Sequence, residues 1–439
     1  MFLIEKISNI KKIYYKIIVI LSFIISWVSI GTHYTHLLIF TQNEVFSLVE
    51  IINFIRITSN LLCFPILCFM IFMNVHKYKE NDINPYLTFI IPLLYFLSQI
   101  PGLFYTSNSL WNFLYVLSAI NILIILNLII LNLENDEIYL VIFLTFILLA
   151  IVFFIAIKED IIMYLDNGRL FYGKINYLLG DSHIRSSGTS RIALILLIIY
   201  SIFSVKLIRS KILKIVPLII FSASIYLYQS RANIGLVIIF IILNYIIFEK
   251  HTLIKFFKYL LIYFVAPILL SLSFLSIHTK NNDPALEINY EIQSDIEIVK
   301  NKIRFLQNNQ ALTTSGRIED WNKIINKFDY NNNLFFGYGA QADRHLINQT
   351  ASNGLLYAFV SSGILGLMFF LILSLTSGMQ VLKYLFFEKE KKLIDYFCFV
   401  IMTVMLIRSL VETSYSLFGV DLILFYTAFI LMQRNRNLK

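Results

Sequence analysis

Along most of the chain, apolar residues come in uninterrupted runs of about twenty, the length a helix needs to cross a hydrocarbon core. Counting such runs predicts about twelve spans: 13–31, 52–75, 84–102, 110–132, 138–157, 192–208, 212–229, 233–249, 256–277, 354–376, 393–411 and 419–433. They recur from one end of the chain to the other, with no soluble-looking half. The expected architecture is therefore an all-α polytopic membrane protein, with 1–439 forming a single polytopic domain. Two long polar stretches break the pattern, 158–191 and 278–353.

Within 278–353 the periodicity changes character. Ile288, Ile292, Ile296, Val299, Ile303 and Leu306 repeat at three and four, which predicts an amphipathic helix lying on the membrane or over the bundle. A second helix starts near Gly316 and Glu319, with Ile318, Trp321, Ile325 and Phe328 on one apolar face. Arg317 and Trp321, four apart, are neighbours on it. A glycine-bearing turn, NNNLFFGYG, closes this segment. The following Gly363 and Gly366 form a small-residue motif of the kind that lets membrane helices approach closely.

Composition agrees with the pattern: 58% of residues are hydrophobic, 14% are charged and the mean hydropathy is +0.75. The net charge of +9 would suit a nucleic-acid binder, but its lysines sit in short clusters between spans. Lys77 and Lys79, Lys206 to Lys214, Lys250 to Lys258, Lys383 to Lys392 and the C-terminal Arg434, Arg436 and Lys439 all fall on the N-terminal side of an even number of spans. By the positive-inside rule both termini are then cytoplasmic and both long loops lie outside. The acidic stretch 133–137 is the one loop that runs against this bias. A basic stretch precedes the first run, but Gly31-Thr32-His33 makes a poor cleavage site, so that run reads as a retained span. The three cysteines, Cys63, Cys68 and Cys398, lie within apolar runs and form no disulfide or zinc pattern.

Arginine departs from the lysine pattern. Arg169, Arg185, Arg191, Arg231, Arg317, Arg344 and the intramembrane Arg408 fall in or near the outer half. Arg231 sits in SRANIG, a connection of a few residues, so its guanidinium lies at the interface or below it. A cation at that depth is a functional candidate by default. Guanidinium is a planar, permanently charged fork that grips phosphate with two donors, so several of them around an outer cleft would suit a lipid diphosphate headgroup. The plainer alternative for each is a snorkelling side chain or an ion pair with a nearby carboxylate.

Acid–base candidates are fewer. Glu412 lies one helical turn beyond Arg408 and could simply pair with it. Asp181 and His183 precede Arg185; Asp343 and His345 follow the glycine turn. Each also reads as a solvated loop residue. Phosphate-loop, dinucleotide, paired-aspartate and zinc-helix motifs are missing from the sequence, so neither a nucleotide cofactor nor a metal is indicated.

The segments SGRIEDWNKIINKF, FFGYG and ASNGLLYAFVSSGILGLMFF resemble, in order and spacing, the shared region of bacterial O-antigen polymerases (Wzy type) and O-antigen ligases. YQSRANIGLVII is similar to the Ser-Arg step that opens that region. HIRSSGTSR resembles the loop before it, and RSLVETS the late span. The resemblance covers roughly 181–430. It implies a glycosyltransferase that takes glycan from undecaprenyl diphosphate at the periplasmic face of the bacterial inner membrane without nucleotide or metal. Under it, Arg191, Arg231, Arg317 and Glu412 are the catalytic candidates, and Arg185, His183, Trp321, His345, Asn353 and Arg408 the substrate-binding ones. The implied partners are undecaprenyl-diphosphate-linked oligosaccharide donor and acceptor, membrane lipids, a chain-length regulator and a flippase, with no nucleic acid. Ligases carry a histidine before the Asn that opens the span after the large loop; Ser352-Asn353 lacks it, which favours a polymerase. A ligase, a lipid or anion transporter and an inert scaffold remain as alternatives.

Overall fold

The computed structural model describes residues 61–134, most of 137–161, 175–182, 186–248, 253–280, 317–347, 350–387 and 392–437, apart from isolated positions within these ranges. The predicted first span, the amphipathic helix over 288–306, and Cys63, Arg169, His183 and Arg185 lie outside them. The described α-helices are α1 (His76–Glu80), α2 (Ile91–Leu97), α3 (Ser109–Asn132), α4 (Ser186–Leu207), α5 (Lys211–Leu227), α6 (Arg231–Phe248), α7 (Leu253–Leu260) and α8 (Ala266–Lys280). They continue with α9 (Arg317–Lys327), α10 (Tyr330–Asn333), α11 (Ala342–Ile347), α12 (Gly354–Phe387), α13 (Leu393–Ser409) and α14 (Val420–Asn437). Two three-residue strands, Ile175–Tyr177 and Gly180–Ser182, are the departure from helix among the described residues.

Among the described residues, three stretches are long and apolar enough to cross a membrane: Tyr86–Tyr105, Asn112–Asn132 and Gly354–Phe387. Four shorter apolar helices, Phe64–Met73, Gly188–Ser204, Arg231–Ile246 and Phe257–Ser273, accompany them. The described residues divide into two compact units. One draws on Met1–Leu149, Leu178–Ser182 and Trp321–Lys439, the other on Ala150–Tyr177 and His183–Asp320. In the first, α12 packs on α2 and α13, and α14 on α13 and α3. In the second, α5 packs on α4 and α8, and α6 on α4.

Hydrocarbon offers no water to a stranded backbone group, so each proline inside these helices raises an accounting question. Proline has no N–H to give the carbonyl four residues back. Pro92 leaves Thr88 O, and the buried Asn127 donates its Nδ2 there at 3.3 Å. Pro217 leaves Leu213 O, and the Tyr200 hydroxyl donates to it. Pro267 leaves Tyr263 O, and the Tyr226 hydroxyl donates to it at 3.0 Å. Two of these prolines follow π-helical turns, Tyr86–Ile90 and Leu261–Val265, which widen the helix just where the ring would crowd the preceding turn.

A larger discontinuity lies within α12. Gly363 has φ 64° and ψ −161°, a conformation essentially restricted to glycine, and it splits the helix in two. The turn at 334–339 closes the gap. Tyr338 and Gly339 donate their N–H groups to Val360 O and Ser361 O, both at 2.8 Å. In return Ile364 N and Leu365 N donate to Leu334 O and Phe335 O at 2.9 and 3.4 Å. The last carbonyls of the first half-helix and the first amides of the second are thus both satisfied by one turn. Such proximity requires glycine: a Cβ on Gly337 would stand 2.6 Å from Ser362 N and Val360 O. A third segment joins them, since a Cβ on Gly102 would collide with the Gly339 amide. In the sequence motif Gly363-Ile-Leu-Gly366 the first glycine therefore serves close approach to the turn, while the second serves approach to α2, where a Cβ on Gly366 would stand 2.7 Å from Ser98 Oγ.

The opposite end of the first unit is held by polar side chains on helix ends. Arg434 Nη1 donates to Ile130 O and Leu133 O, both at 2.6 Å, capping the C-terminus of α3 where the helix dipole favours a cation. Asn435 donates to Asp395 at 2.7 Å and ties α14 to α13.

Candidate functional site

In the second unit, the two arginines of the Ser-Arg segments lie on two adjoining helices, near their N-terminal ends. Arg231 is the first residue of α6; Arg191 lies in the second turn of α4, a helix that begins at Ser186 rather than after Arg191. Ser230 precedes α6, and the Asn233 side-chain amide donates to its Oγ at 3.0 Å. The same Asn233 amide donates to Ser190 Oγ at 3.0 Å, and Asn233 and Ser190 are both buried. This link brings Arg191, next to Ser190, and Arg231, two residues before Asn233, to one end of the α4–α6 pair. Helix N-termini carry partial positive charge, so the start of α6 with Arg231 on it provides an environment suited to phosphate. Arg317 also opens a helix, α9.

In the first unit, the residues around the end of the large loop converge on one peptide. Trp321 Nε1 donates to Ala351 O at 2.6 Å, and Asp343 Oδ2 accepts from Ala351 N at 2.7 Å. The other Asp343 oxygen accepts from Arg344 N at 2.9 Å. Burial pushes the Asp343 carboxyl up from its usual range, partly offset by the Arg344 charge and these backbone donors. Asp343 is therefore a buried structural acid, not the solvated loop residue that its sequence context suggests.

His345, two residues on, meets Asn112 through Nε2 at 2.7 Å. With the Asn112 amide donating, the ring proton resides on Nδ1 and the imidazole is neutral. Burial, with the Arg344 charge second, pulls its pKa down. Asn353 is occupied on both sides of its amide: Oδ1 accepts from Leu356 N at 2.9 Å, capping α12, and Nδ2 donates to Leu410 O at 3.0 Å.

The helix carrying Trp321 turns differently from expectation. Its buried positions are Ile324 and Phe328, packed with Ala342, Ala351, Tyr357 and Val360, whereas Ile318 and Ile325 are exposed. Phe328 is buried as expected and Trp321 is half-buried, but Ile324 replaces Ile325 on the buried stripe and Ile318 is not part of it. Asp329 then accepts from Asn331 N and Asn332 N to start α10, so the Asn-rich patch is a capped turn.

Arg408 is buried, and its guanidinium forms an ion pair with Asp421, a residue of α14 that no sequence pattern singles out. Glu412, the partner expected from helical spacing, is half-buried just past the end of α13, its N–H donating to Arg408 O at 2.8 Å. Asn112, Asp421 and Asn233 are the site residues that sequence reasoning missed. Each is an ordinary polar residue in an apolar run, and only the long-range contact distinguishes it.

No curated protein matches the chain. Residues 216–371 match the Wzy_C family model, described as O-antigen ligase. The matched stretch runs from α5 into α12 and takes in Arg231, Arg317, Trp321, His345, Asn353 and the 334–339 turn that closes the break in α12. Over that stretch the chain is similar to the O-antigen ligase family, the polymerase and ligase family to which its ordered motifs point.

Proposed function

We propose that this chain is a membrane glycosyltransferase that polymerises oligosaccharide repeat units carried on undecaprenyl diphosphate, at the periplasmic face of the bacterial inner membrane. The observation that supports the reading is the Ser190–Asn233 hydrogen bond, which ties the helix turn carrying Arg191 to the helix start carrying Arg231. When the sugar departs, negative charge collects on the lipid diphosphate. Guanidinium groups fixed in a poorly solvated place stabilise that charge more in the transition state than in the bound donor. Arg317 is the third proposed contributor.

The acceptor hydroxyl needs orientation and a base. His345 is a weak candidate while Asn112 occupies its Nε2 lone pair. Glu412 and His183 remain as candidates for that role. Trp321 donates to Ala351 O and Asn353 caps α12, and both stay proposed substrate-binding residues.

The O-antigen ligase family that residues 216–371 match favours a second reading, a ligase that transfers finished glycan to lipid A-core. Both are tested in a deletion strain complemented with wild type or Arg231→Ala. A polymerase predicts lipid A-core capped with single repeats in the deletion, and a ladder restored by wild type alone. Bare lipid A-core with long lipid-linked chains in the membrane would replace the polymerase with the ligase. An unchanged ladder in the deletion would reject both and leave transport.

A further inference from the structure

The 334–339 turn falls inside what the sequence presents as a polar outer loop, yet its side chains do not suit water. Phe335 and Phe336 are 61% and 43% exposed. Gly102 packs on the backbone of Gly337 to Gly339, so the end of the Tyr86–Tyr105 span lies beside them, and there Phe104 and Tyr105 are 85% and 60% exposed. Four large aromatic residues therefore crowd one exposed ledge of the first unit.

Helix lengths set the depth of this ledge. Past the break, the second half of α12 extends from Ile364 to Phe387, about 36 Å at roughly 1.5 Å per residue. That alone crosses a hydrocarbon core of about 30 Å. The Tyr86–Tyr105 span, 20 residues long, ends at the same level, where Gly102 meets the turn. Lys383, Lys389, Lys391 and Lys392 mark the far end as cytoplasmic, which makes the ledge the outer end.

The exposed face of α12 supplies the continuity. Ile364, Met368, Leu371, Leu375, Met379 and Leu382 form one stripe of exposed apolar positions, spaced by three and four, as lipid requires. Its uppermost residue, Ile364, is hydrogen-bonded through its N–H to Leu334 O, so the aromatic pair that follows extends the stripe without a gap.

We propose that the 334–339 turn is a re-entrant element embedded in the outer leaflet, with Phe104, Tyr105, Phe335 and Phe336 in contact with phospholipid at the boundary between headgroup and acyl chain. Aromatic rings are favoured at that depth. Irregular backbone is tolerated there because the broken helix accepts and donates all four of the hydrogen bonds described above. The large loop of 278–353 thus returns to the membrane before α12 begins.

The test uses the full chain with Cys63, Cys68 and Cys398 replaced by alanine, in nanodiscs of phosphatidylethanolamine and phosphatidylglycerol. Spin labels are attached to Phe104→Cys, Phe336→Cys and, as a water-facing control, Asn332→Cys, an exposed residue of α10. Collision with oxygen, which partitions into lipid, is compared with collision with a water-soluble nickel chelate. The proposal expects oxygen to dominate several-fold at 104 and 336 and nickel at 332. Two substituted sites guard against a local loss of structure at either one. Nickel dominance at both 104 and 336 would overturn the proposal. Exclusion of both reagents would overturn it in favour of a second protein surface. Immobilisation at 336 only on adding polyprenyl monophosphate would overturn it in favour of an isoprenoid chain as occupant.

Discussion

Gly363 and Phe335 are in backbone contact: a methyl group on Gly363 would overlap the Phe335 carbonyl. The glycine is required twice, for that approach and for its positive φ. Gly363→Ala is expected to lose most folded protein, since the strained conformation alone costs about 1–3 kcal/mol and the overlap adds to it. Gly378→Ala, in the same helix with nothing near its Cβ, should be neutral or stabilising by about 0.5–1 kcal/mol. Thermal melts of detergent-solubilised protein compare the two; equal melting temperatures would refute the clamp.

Tyr226 and Pro267 form a thermodynamic pair through a third residue, Tyr263. Tyr226→Phe strands the Tyr263 carbonyl and should cost about 1–3 kcal/mol. Pro267→Ala restores the N–H that proline lacks, so the double variant should recover much of that loss. Additive losses in the double-mutant cycle would show that the hydroxyl does not answer the proline.

Asp421 holds Arg408 in a buried ion pair. Asp421→Ala leaves a buried cation without that partner and should destabilise the protein by about 3–5 kcal/mol. Replacing both by apolar residues, Arg408→Met with Asp421→Leu, should lie close to wild type in stability. Retained glycan ladders in that double variant would mark the pair as structural; lost ladders with an intact fold would return Arg408 to the substrate.

His345 ties stability to pH. Its folded pKa lies below the ordinary 6.5, so beneath that value the unfolded chain binds a proton that the folded chain refuses. Stability is then full above 6.5 and falls as the pH drops through it. Asp343 acts in the opposite sense, because its raised pKa lets the folded state bind the extra proton on acidification. Melting curves between about pH 7.5 and 5.5 should show a decline that His345→Gln flattens. A decline of the same size in that variant would place the titrating group elsewhere.

The sequence revealed helices better than their interruptions. Runs over 110–132, 393–411 and 419–433 reappear within a few residues as α3, α13 and α14, because an apolar run of that length has one economical conformation in lipid. The break in α12 was hidden, since Gly363-Ile-Leu-Gly366 reads equally well as a helix-packing motif. Arg408 illustrates the other limit. Helical spacing proposes Glu412, but α14 folds back to deliver Asp421, and no local rule foresees a contact between two separate helices. The arginines stood out in the sequence for a different reason: charge in an apolar setting is conspicuous, and of the two Ser-Arg segments the second opens a helix while the first lies in the second turn of one.

The sealed break in α12 also bears on how the chain is made. Its three strata emerge from the ribosome in order, Gly102 first, then the 334–339 turn, then 360–365. The segment whose backbone would otherwise be stranded in hydrocarbon is synthesised last, when its partners already exist. Substitutions in the FFGYG turn should therefore surface as failed membrane insertion of a later helix, at a point in biogenesis when the mutated residues themselves have already left the ribosome.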